Sequence, residues 1–594
     1  MVTRTKLKRL RLEYERRLQY RSKALEQHEK QSQTLGNIRL VTVLLGAVVA
    51  WWNVSLVPIP VAIFVILVVW HERVAAAAAR EKRAIAWYER ALARLDGNWA
   101  GTGSTGDQFR SPDHPYAEDL DLFGKGSVFE LISMARTVAG EEVLASWLMT
   151  TTASVEEVRE RQEAVRELQP HLDFRETLVL LGEDIRAEVH PEALIRWTSL
   201  PPVRFFTGAR WVSTASVLVS LLTLTGFFGQ FWTWHVPVAW LLVQGVYGFL
   251  LRDKVLQVLH AVDLPAHDLR LIGDLLAKVE NNKFESPRLR SLQARIQTQG
   301  RKASQEIAHL RSLVERDDWA HNEFFKPVAR ILLWSTHLAI AIEDWRQRSG
   351  PAVASWLEAI GEVEALCSLA SYASENPEDV WPDLVPEGPL FDAEGLAHPL
   401  LPSNRAVRND LRLDSSLRLM LVSGSNMSGK STLLRSVGLG AVLAWAGAPV
   451  RATRLQISPL VVGAEMRVQD SVQEGRSRFY AEILRLRQIV NLSDGPVPLL
   501  YLLDEVLAGT NSHDRRIGAQ AILISLVSRG AIGLVTTHDL ALASIVDALG
   551  EVARNVHFED HIEDGRIVFD YRMRPGIVTK SNAIELMRSI GLEV

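Results

Sequence analysis

Between an apolar run at 419–422 and a helix-like stretch at 433–445 the chain reads Gly424-Ser425-Asn426-Met427-Ser428-Gly429-Lys430-Ser431-Thr432. No other stretch of the 594 residues restricts the fold as much. A buried strand that feeds a glycine-punctuated loop and then a helix is the local order of a phosphate-binding loop in an α/β domain. The glycines let the backbone curl so that its N–H groups converge on an anion at the positive end of the helix. In that arrangement Lys430 reaches the outer phosphates and Ser431 holds Mg²⁺. A surface loop with a stray lysine would not have a buried strand on one side and a helix on the other.

Downstream, a second apolar run at 499–503 ends in Asp504-Glu505. At the end of a buried strand Asp504 can hold Mg²⁺ through water, and Glu505 can polarise an attacking water as general base. A third strand, at 531–535, leads into Thr536-Thr537-His538-Asp539, where His538 can sense a γ-phosphate. Each signal alone has a plainer reading, a surface acid pair or a capping turn. Their order along the chain favours one crevice at the carboxyl ends of an open sheet, where such folds bind ligands.

The upstream half raises a different constraint. No Asp, Glu, Lys or Arg occurs between 40 and 70, nor between 211 and 251. Hydrophobic content is 47% alongside 23% charged residues, a combination that fits apolar membrane segments joined to charged domains. A membrane helix needs about 20 apolar residues. The second run is long enough for two, with its break at 229–237. The first reaches two only if 34–39 joins its first helix and Arg39 snorkels. The breaks, at Trp51-Trp52-Asn53 with Pro58 and Pro60 and at Trp232 to Pro237, carry no charge, while Arg73, Arg80, Arg204, Arg210, Arg252 and Lys254 flank the runs. Positive-inside bias then puts both hairpin tips outside and the remaining chain in the cytoplasm.

Residues 1–30 hold ten Lys or Arg against four Asp or Glu, and read as a basic helix that would lie on anionic lipid rather than as a secretory signal. Helical periodicity covers 155–168, 269–279, 292–314, 330–345 and 353–372, a bundle or arms for a partner. His114, Asp119 and Asp121 could in principle meet at a metal, although a capped turn is the ordinary meaning of one histidine among alternating aspartates. The single cysteine, Cys367, lies in an apolar helical pattern and rules out an intrachain disulfide framework. The net charge of −4 leaves nucleic-acid affinity to local patches.

The last two hundred residues resemble the ATPase domain of the MutS family, within the wider ABC-type ATPases. The residues that carry the resemblance are His398-Pro399-Leu400-Leu401, Val407-Arg408-Asn409-Asp410, the 424–432 loop, Asp504 to Ser512 and Thr537-His538. Gly475-Arg476-Ser477-Arg478-Phe479 followed by Glu482 resembles the family segment whose serine reaches a neighbouring subunit's nucleotide, which implies a homodimer with Ser477 acting in trans. Residues 569–576 and 581–591 resemble the family's final strand and helix, and 127–148 and 364–370 resemble the borders of its helical core. The sequence departs from the pattern at Ser425 and Ser428, where the family usually has proline and glycine, at Val506-Leu507-Ala508 and at Arg478. Nothing before Pro112 resembles the family's mismatch-reading domain.

The expected architecture is therefore an α/β ABC-type P-loop ATPase domain at 381–594, an all-α core and lever region, and four transmembrane helices in two hairpins. A basic helix occupies 1–37, the first hairpin 38–71, and a cytosolic helix with a glycine-rich linker 72–110. The core's first part covers 111–205, the second hairpin 206–252 and the core's second part 253–380. The resemblance implies an ATPase that uses ATP and Mg²⁺ and binds DNA; the two apolar runs place it in the cytoplasmic membrane, and the lack of a counterpart to the mismatch-reading domain before Pro112 argues against classical mismatch readout. An ATP-switched scaffold for protein partners and a transporter-like machine are the alternatives. Transport would want polar residues at mid-membrane, and only Thr223, Thr225, Gln230, Gln244 and a few other uncharged polar side chains occur there.

Overall fold

The structure, a computed structural model, describes residues 2–151, 153–188, 191–298, 300–320, 325–425, 427–466, 478–538, 540–563 and 566–578. The chain forms two units. The first combines Met1–Met134, Leu144–Glu176 and Leu366–Val594, and the second Ala135–Val143 and Thr177–Ala365.

The first unit opens with two antiparallel helices, α1 (Val2–Trp52) and α2 (Pro58–Asp96). Asn53 ends the first by turning its side chain onto the Ser55 N–H at 3.0 Å. Pro58 and Pro60 are tolerated because the first turn of a helix has no N–H bonds to lose. Gly97, with φ 76°, closes α2 in the left-handed conformation. At 1.5 Å per residue α1 is about 75 Å long. The hairpin's register is set by charge pairs near its base: Arg11–Asp96 at 2.8 Å, Arg21–Glu81 at 3.1 Å and Lys82–Glu29 at 2.9 Å. Tyr14 packs against Trp87 and Tyr88 with ring centroids 6.2 and 5.8 Å away. Farther along, the Arg39 guanidinium lies 5.4 Å from the Phe64 ring centre, and Leu35, Leu67 and Val74 form a small apolar seam.

Three arginines of the basic N-terminal stretch are paired with carboxylates. Arg17 and Arg21 reach Glu176 at 2.9 and 2.6 Å, and Arg11 is held by Asp96. Their carboxylate partners lie 60 to 159 positions away in the chain, so composition alone reads the stretch as unpaired. Beyond this charged base the hairpin is apolar and exposed, Trp51 and Trp52 being 93% and 87% open.

The second unit is helical. Its longest elements are α3 (Ala209–Phe228), α4 (His235–Glu280), α5 (Ala303–Ala320) and α6 (Trp334–Ser349). α5 and α6 pack on α4 and on each other, with Trp345 fully buried and its indole N–H donated to the Glu306 carbonyl at 2.8 Å. Two of the expected helices are interrupted. The 292–314 stretch breaks at a small hairpin, Gln297–Thr298 with Arg301–Lys302, which turns through Gly300 at φ 76°. The 330–345 stretch breaks at Leu333, φ 46°, between the short helix Lys326–Ile331 and α6.

α3 and α4 meet along a polar seam. Ser213 and Tyr247 share a hydroxyl–hydroxyl bond of 2.9 Å, and the Ser220 hydroxyl donates to the Gln244 side-chain carbonyl. Trp240 Nε1 donates to Ser220 at 3.0 Å, and Gln244 Nε2 donates to the Ile331 carbonyl at 2.7 Å. Among the described residues three helical stretches are long and apolar enough to cross a membrane: Thr5–Trp52, Val54–Asp96 and Ala209–Phe228. The fourth expected span, 235–251, opens α4 and is not one of the three.

The C-terminal part of the first unit is α/β. Four short strands, β1 (Asp383–Leu384), β2 (Leu390–Leu396), β3 (Asn409–Asp414) and β5 (Arg454–Ile457), form a sheet in the order β1-β5-β2-β3. The larger sheet contains β4 (Leu419–Ser423), β6 (Val461–Glu465), β7 (Leu499–Leu503), β8 (Ile532–Thr537), β9 (Ala553–Glu563) and β10 (Arg566–Pro575). Its order is β10-β9-β4-β8-β7-β6, parallel except for the antiparallel edge strand β10. Helices cover such a sheet on both faces, which is why β4, β7 and β8 are buried at every position. They are α7 (Lys430–Ala446), buried nearly all round, α8 (Arg478–Leu492) and α9 (Ser512–Ser528).

Candidate phosphate-binding site

Strand register brings the sequence motifs together. Ser423, the last residue of β4, stands beside Thr537 of β8 on one side and His557 of β9 on the other, while Val535 pairs with Leu503. The loop after β4, the Asp504-Glu505 pair after β7 and His538 after β8 therefore leave the sheet at one edge.

The loop itself needs glycine. Gly424 has φ 149°, and a Cβ there would fall 2.9 Å from the Ser428 hydroxyl oxygen and 3.0 Å from the Phe558 carbonyl. Gly429, φ 105°, ends the loop directly before α7. Lys430 is almost wholly buried and folds back on the loop, donating to the carbonyls of Gly424 at 2.9 Å and Ser425 at 2.8 Å. Burial pulls its pKa down, against the pull of Glu505 and Asp504. The hydroxyl oxygens of Ser425 and Ser428 are buried without a hydrogen-bond partner among the described residues. A buried hydroxyl left unpaired costs about 1–3 kcal/mol. Two such groups in one loop, beside a lysine paired only with main-chain carbonyls, fit an anion that would accept from all three. Ser431 and Thr432 follow in the first turn of α7. Asn426 and Ser477 lie outside the described residues.

On the acidic side, the Thr536 hydroxyl donates to Asp504 Oδ1 and accepts the Glu505 N–H at 3.0 Å. Glu505 takes φ 54°, left-handed backbone that costs a non-glycine residue of order 1–3 kcal/mol and clusters at functional sites. Its Oε1 lies 2.5 Å from His538 Nε2, and His538 Nδ1 lies 3.1 Å from the Gly424 carbonyl. A carbonyl only accepts, so the Gly424 contact is made by the Nδ1–H, and Nε2 faces the Glu505 carboxyl group. His538 thus links the carboxylate to the phosphate loop.

Two features escape sequence reading. Glu465 ends β6 next to Asp504, whose N–H it receives at 2.8 Å through its main-chain carbonyl. Burial first, then the nearby Glu482, Asp119 and Asp504, push its carboxyl up to about 8, and its Oε2 has no partner among the described residues. At neutral pH it is mostly protonated, which leaves Asp504 with less competing negative charge. The signal was present as an acid closing an apolar run beside the Asp504 strand. The second feature is aromatic. A cavity of about 760 Å³ opens from Lys430, Thr432 and Glu505 to His398, Phe569 and Tyr571. The last two rings are stacked 5.9 Å apart, and Asn409 ties their strand down through the Tyr571 carbonyl and the Met573 N–H at 3.1 and 2.8 Å. Burial, with Arg435 and Arg451, pushes His398 down to about 4, so it faces the cavity as a neutral ring.

His114, Asp119 and Asp121 do not converge on a metal. His114 Nε2 lies 3.1 Å from the Met149 carbonyl, Asp119 accepts from Arg485 at 3.0 Å and from the Met466 N–H at 2.8 Å, and Asp121 lies 3.6 Å from Arg435. No cluster of three or more His, Cys, Asp or Glu suited to a metal occurs among the described residues.

Residues 420–593 match the family model of MutS domain V. The Endonuclease MutS2 of Thermus thermophilus is 31% identical over 237 residues, 40% of this chain and 30% of that protein. The DNA mismatch repair protein MutS 1 of Halobacterium salinarum is 35% identical over 238 residues, 39% of this chain and 27% of that protein. The DNA mismatch repair protein MutS of an Exiguobacterium species is 33% identical over 234 residues, 38% and 27% of the two chains. The chain thus spans less than a third of the length of the curated relatives it matches. Residues 420–593 are similar to MutS domain V, a P-loop ATPase domain of MutS-family proteins.

Proposed function

We propose that this chain is a membrane-anchored ATPase that binds ATP at the 424–432 loop and hydrolyses it at a composite site in a homodimer. The observation that carries the reading is the meeting of the phosphate loop, Asp504, Glu505 and His538 at one sheet edge, joined by the 2.5 Å Glu505–His538 contact. Lys430 exchanges its carbonyl partners for the outer phosphates, and the hydroxyls of Ser425 and Ser428 turn to phosphate oxygens. The aromatic wall of Phe569 and Tyr571 receives the base. Ser431 and Asp504 would hold Mg²⁺, which supplies charge neutralisation across the phosphates when bound. Glu505 takes the proton of the attacking water, and His538, released from Glu505, reports the γ-phosphate. Ser477 completes the partner subunit's site.

α1, α2, α3 and the start of α4 form two membrane hairpins, with the ATPase domain in the cytoplasm. The exposed apolar ends of the first hairpin and the three helices of spanning length support this reading. The relatives' names speak of DNA mismatch repair and of an endonuclease, and duplex or branched DNA held by its phosphates is the partner proposed here. The pairing of Arg11, Arg17 and Arg21 with carboxylates favours, as a second reading, an ATP-switched scaffold for proteins.

Turnover of the full chain in detergent, with and without duplex and branched DNA, tests both. Glu505→Gln should retain ATP and lose about 10²–10⁴ in rate; normal turnover in that variant removes the residue from its role. If no DNA alters turnover or nucleotide affinity, the scaffold replaces the DNA reading.

A further inference from the structure

The second unit contains a cavity of about 740 Å³ where α3, α5 and α6 come together. Its polar lining is Arg210 from the first turn of α3, His309 and Arg316 from α5, and His337, Asp344 and Arg348 from α6. Three guanidinium groups face one carboxylate. Among the described residues Asp344 pairs with Arg210, at 3.8 Å, and both side chains are more than half exposed, so the pair is weak. Arg316 and Arg348 make no ion pair among the described residues. Burial and the Arg210 charge lower the pKa of His337, which leaves it a neutral hydrogen-bonding ring. The lining is held in place. Trp334 donates its indole N–H to the Arg316 carbonyl at 2.8 Å and meets Phe325 edge-on at 5.4 Å.

The cavity's position is as specific as its charge. Arg210 is followed at once by Trp211, 78% exposed, and then by the apolar length of α3. The other arm of the hairpin ends at the same level, because Lys254, just past the apolar start of α4, donates to the Arg204 carbonyl at 2.7 Å. A polar cavity with surplus guanidinium charge therefore opens where an apolar hairpin would leave the bilayer. Guanidinium is suited to phosphate because its planar N–H fork bonds two oxygens at once. A zwitterionic headgroup would bring its own cation and gain little. We propose that this cavity is a binding site for the phosphate of an anionic phospholipid headgroup at the cytoplasmic face of the second hairpin. The inference rests on the membrane reading given above.

The full chain, purified in mild detergent, is mixed with phosphatidylglycerol or with phosphatidylcholine, and the lipids retained are counted by native mass spectrometry. Phosphatidylglycerol should be retained in preference, and Arg316→Gln with Arg348→Gln should weaken retention about thirty-fold, the equivalent of two basic side chains beside an anionic headgroup. Asp344→Asn should strengthen it about five-fold by the same scale. That variant carries the test if the arginine pair proves necessary for folding. Equal retention of the two lipids, or no response to either change, overturns the site. Displacement of the lipid by 10 mM inorganic phosphate would make it a site for free phosphate and overturn the lipid assignment. Alkaline carbonate extraction of the native membranes separates the two readings. Release of the protein there sinks the membrane anchor, whereas firm retention without lipid preference sinks the headgroup site alone.

Discussion

The α1–α2 hairpin closes its apolar part on Leu35, Leu67 and Val74, whereas the α3–α4 hairpin closes on hydroxyls, an indole and the Gln244 amide. In hydrocarbon there is no hydrophobic force between helices, because the lipid chains are as apolar as leucine. An apolar seam there holds two helices together without fixing how they slide. The first hairpin's register is fixed outside the apolar zone, by Arg11–Asp96, Arg21–Glu81 and the Tyr14 cluster. The second fixes its register within the zone, and Gln244 extends the seam to the Ile331 carbonyl just before α6. The first sets an exposed apolar hairpin on a rigid base. The second ties its apolar helices to the rest of its own unit.

The largest expected effect lies at the base of the first hairpin. Trp87 is 1% exposed, with its ring 4.6 Å from that of Tyr88. Trp87→Ala should destabilise by about 3–5 kcal/mol, the range for a large aromatic removed from a core. Thermal unfolding of the detergent-solubilised chain, followed by circular dichroism, measures it. A melting temperature within about a degree of the parent would mean that the base does not set the first hairpin, and the contrast would fall.

Much of the nucleotide side was legible because its signals are local. A strand, a loop and a helix adjacent in sequence are adjacent in space, so 419–446 could be read directly. Asp504 and His538 follow strands whose parallel order puts all the ends on one edge. Tyr571 was not legible as a lining residue. It enters the cavity only because β10 pairs with β9, which pairs with β4, and no local pattern states that order. The four-stranded sheet was missed for the related reason that its strands are short and are paired across α7. The ion pairs of Arg11, Arg17 and Arg21 were not legible because Glu81, Asp96 and Glu176 are remote in the chain. Gly300 was visible in the 292–314 pattern, but its turn outweighed the periodicity on both sides.

The contrast between regions extends to two buried acids, one in each unit. Burial pushes Glu465 up to about 8 in the first unit and Glu364 up to about 7 in the second. Glu364 receives the Thr137 hydroxyl and the N–H groups of Arg136 and Thr137, the latter two at 3.2 Å. Each folded-state pKa lies above the ordinary carboxylate value, so the folded chain binds more protons than the unfolded one between the two. Their stabilising contribution is full below the ordinary value and is lost as pH rises, through about 7 for Glu364 and about 8 for Glu465. Each slope is at most about 1.4 kcal/mol per pH unit. Hydrogen exchange of peptides from each unit, corrected for the intrinsic rate at each pH, should show both units weakening above the ordinary carboxylate range, the second levelling off near pH 7 and the first near pH 8. Glu465→Gln should flatten the first unit's response above pH 7. Identical profiles for both units would remove the distinction.

The smallest effect tests the seam itself. Gln244→Leu removes the donor to the Ile331 carbonyl and the acceptor for Ser220 while keeping an apolar side chain of similar size. Hydrogen bonds between membrane helices contribute about 0.6 to 2 kcal/mol, because the unfolded chain in a membrane also finds partners. The direct loss in thermal stability should therefore be modest. The sharper readout is coupling. Ser220→Ala and Gln244→Leu act on one bond, so their combined effect should be smaller than the sum of the single effects. Leu67→Ala in the first hairpin shares no partner with either and should add to each. Additive behaviour of Ser220 with Gln244 would mean that the polar seam does not hold α3 to α4, and the contrast between the two hairpins would fall.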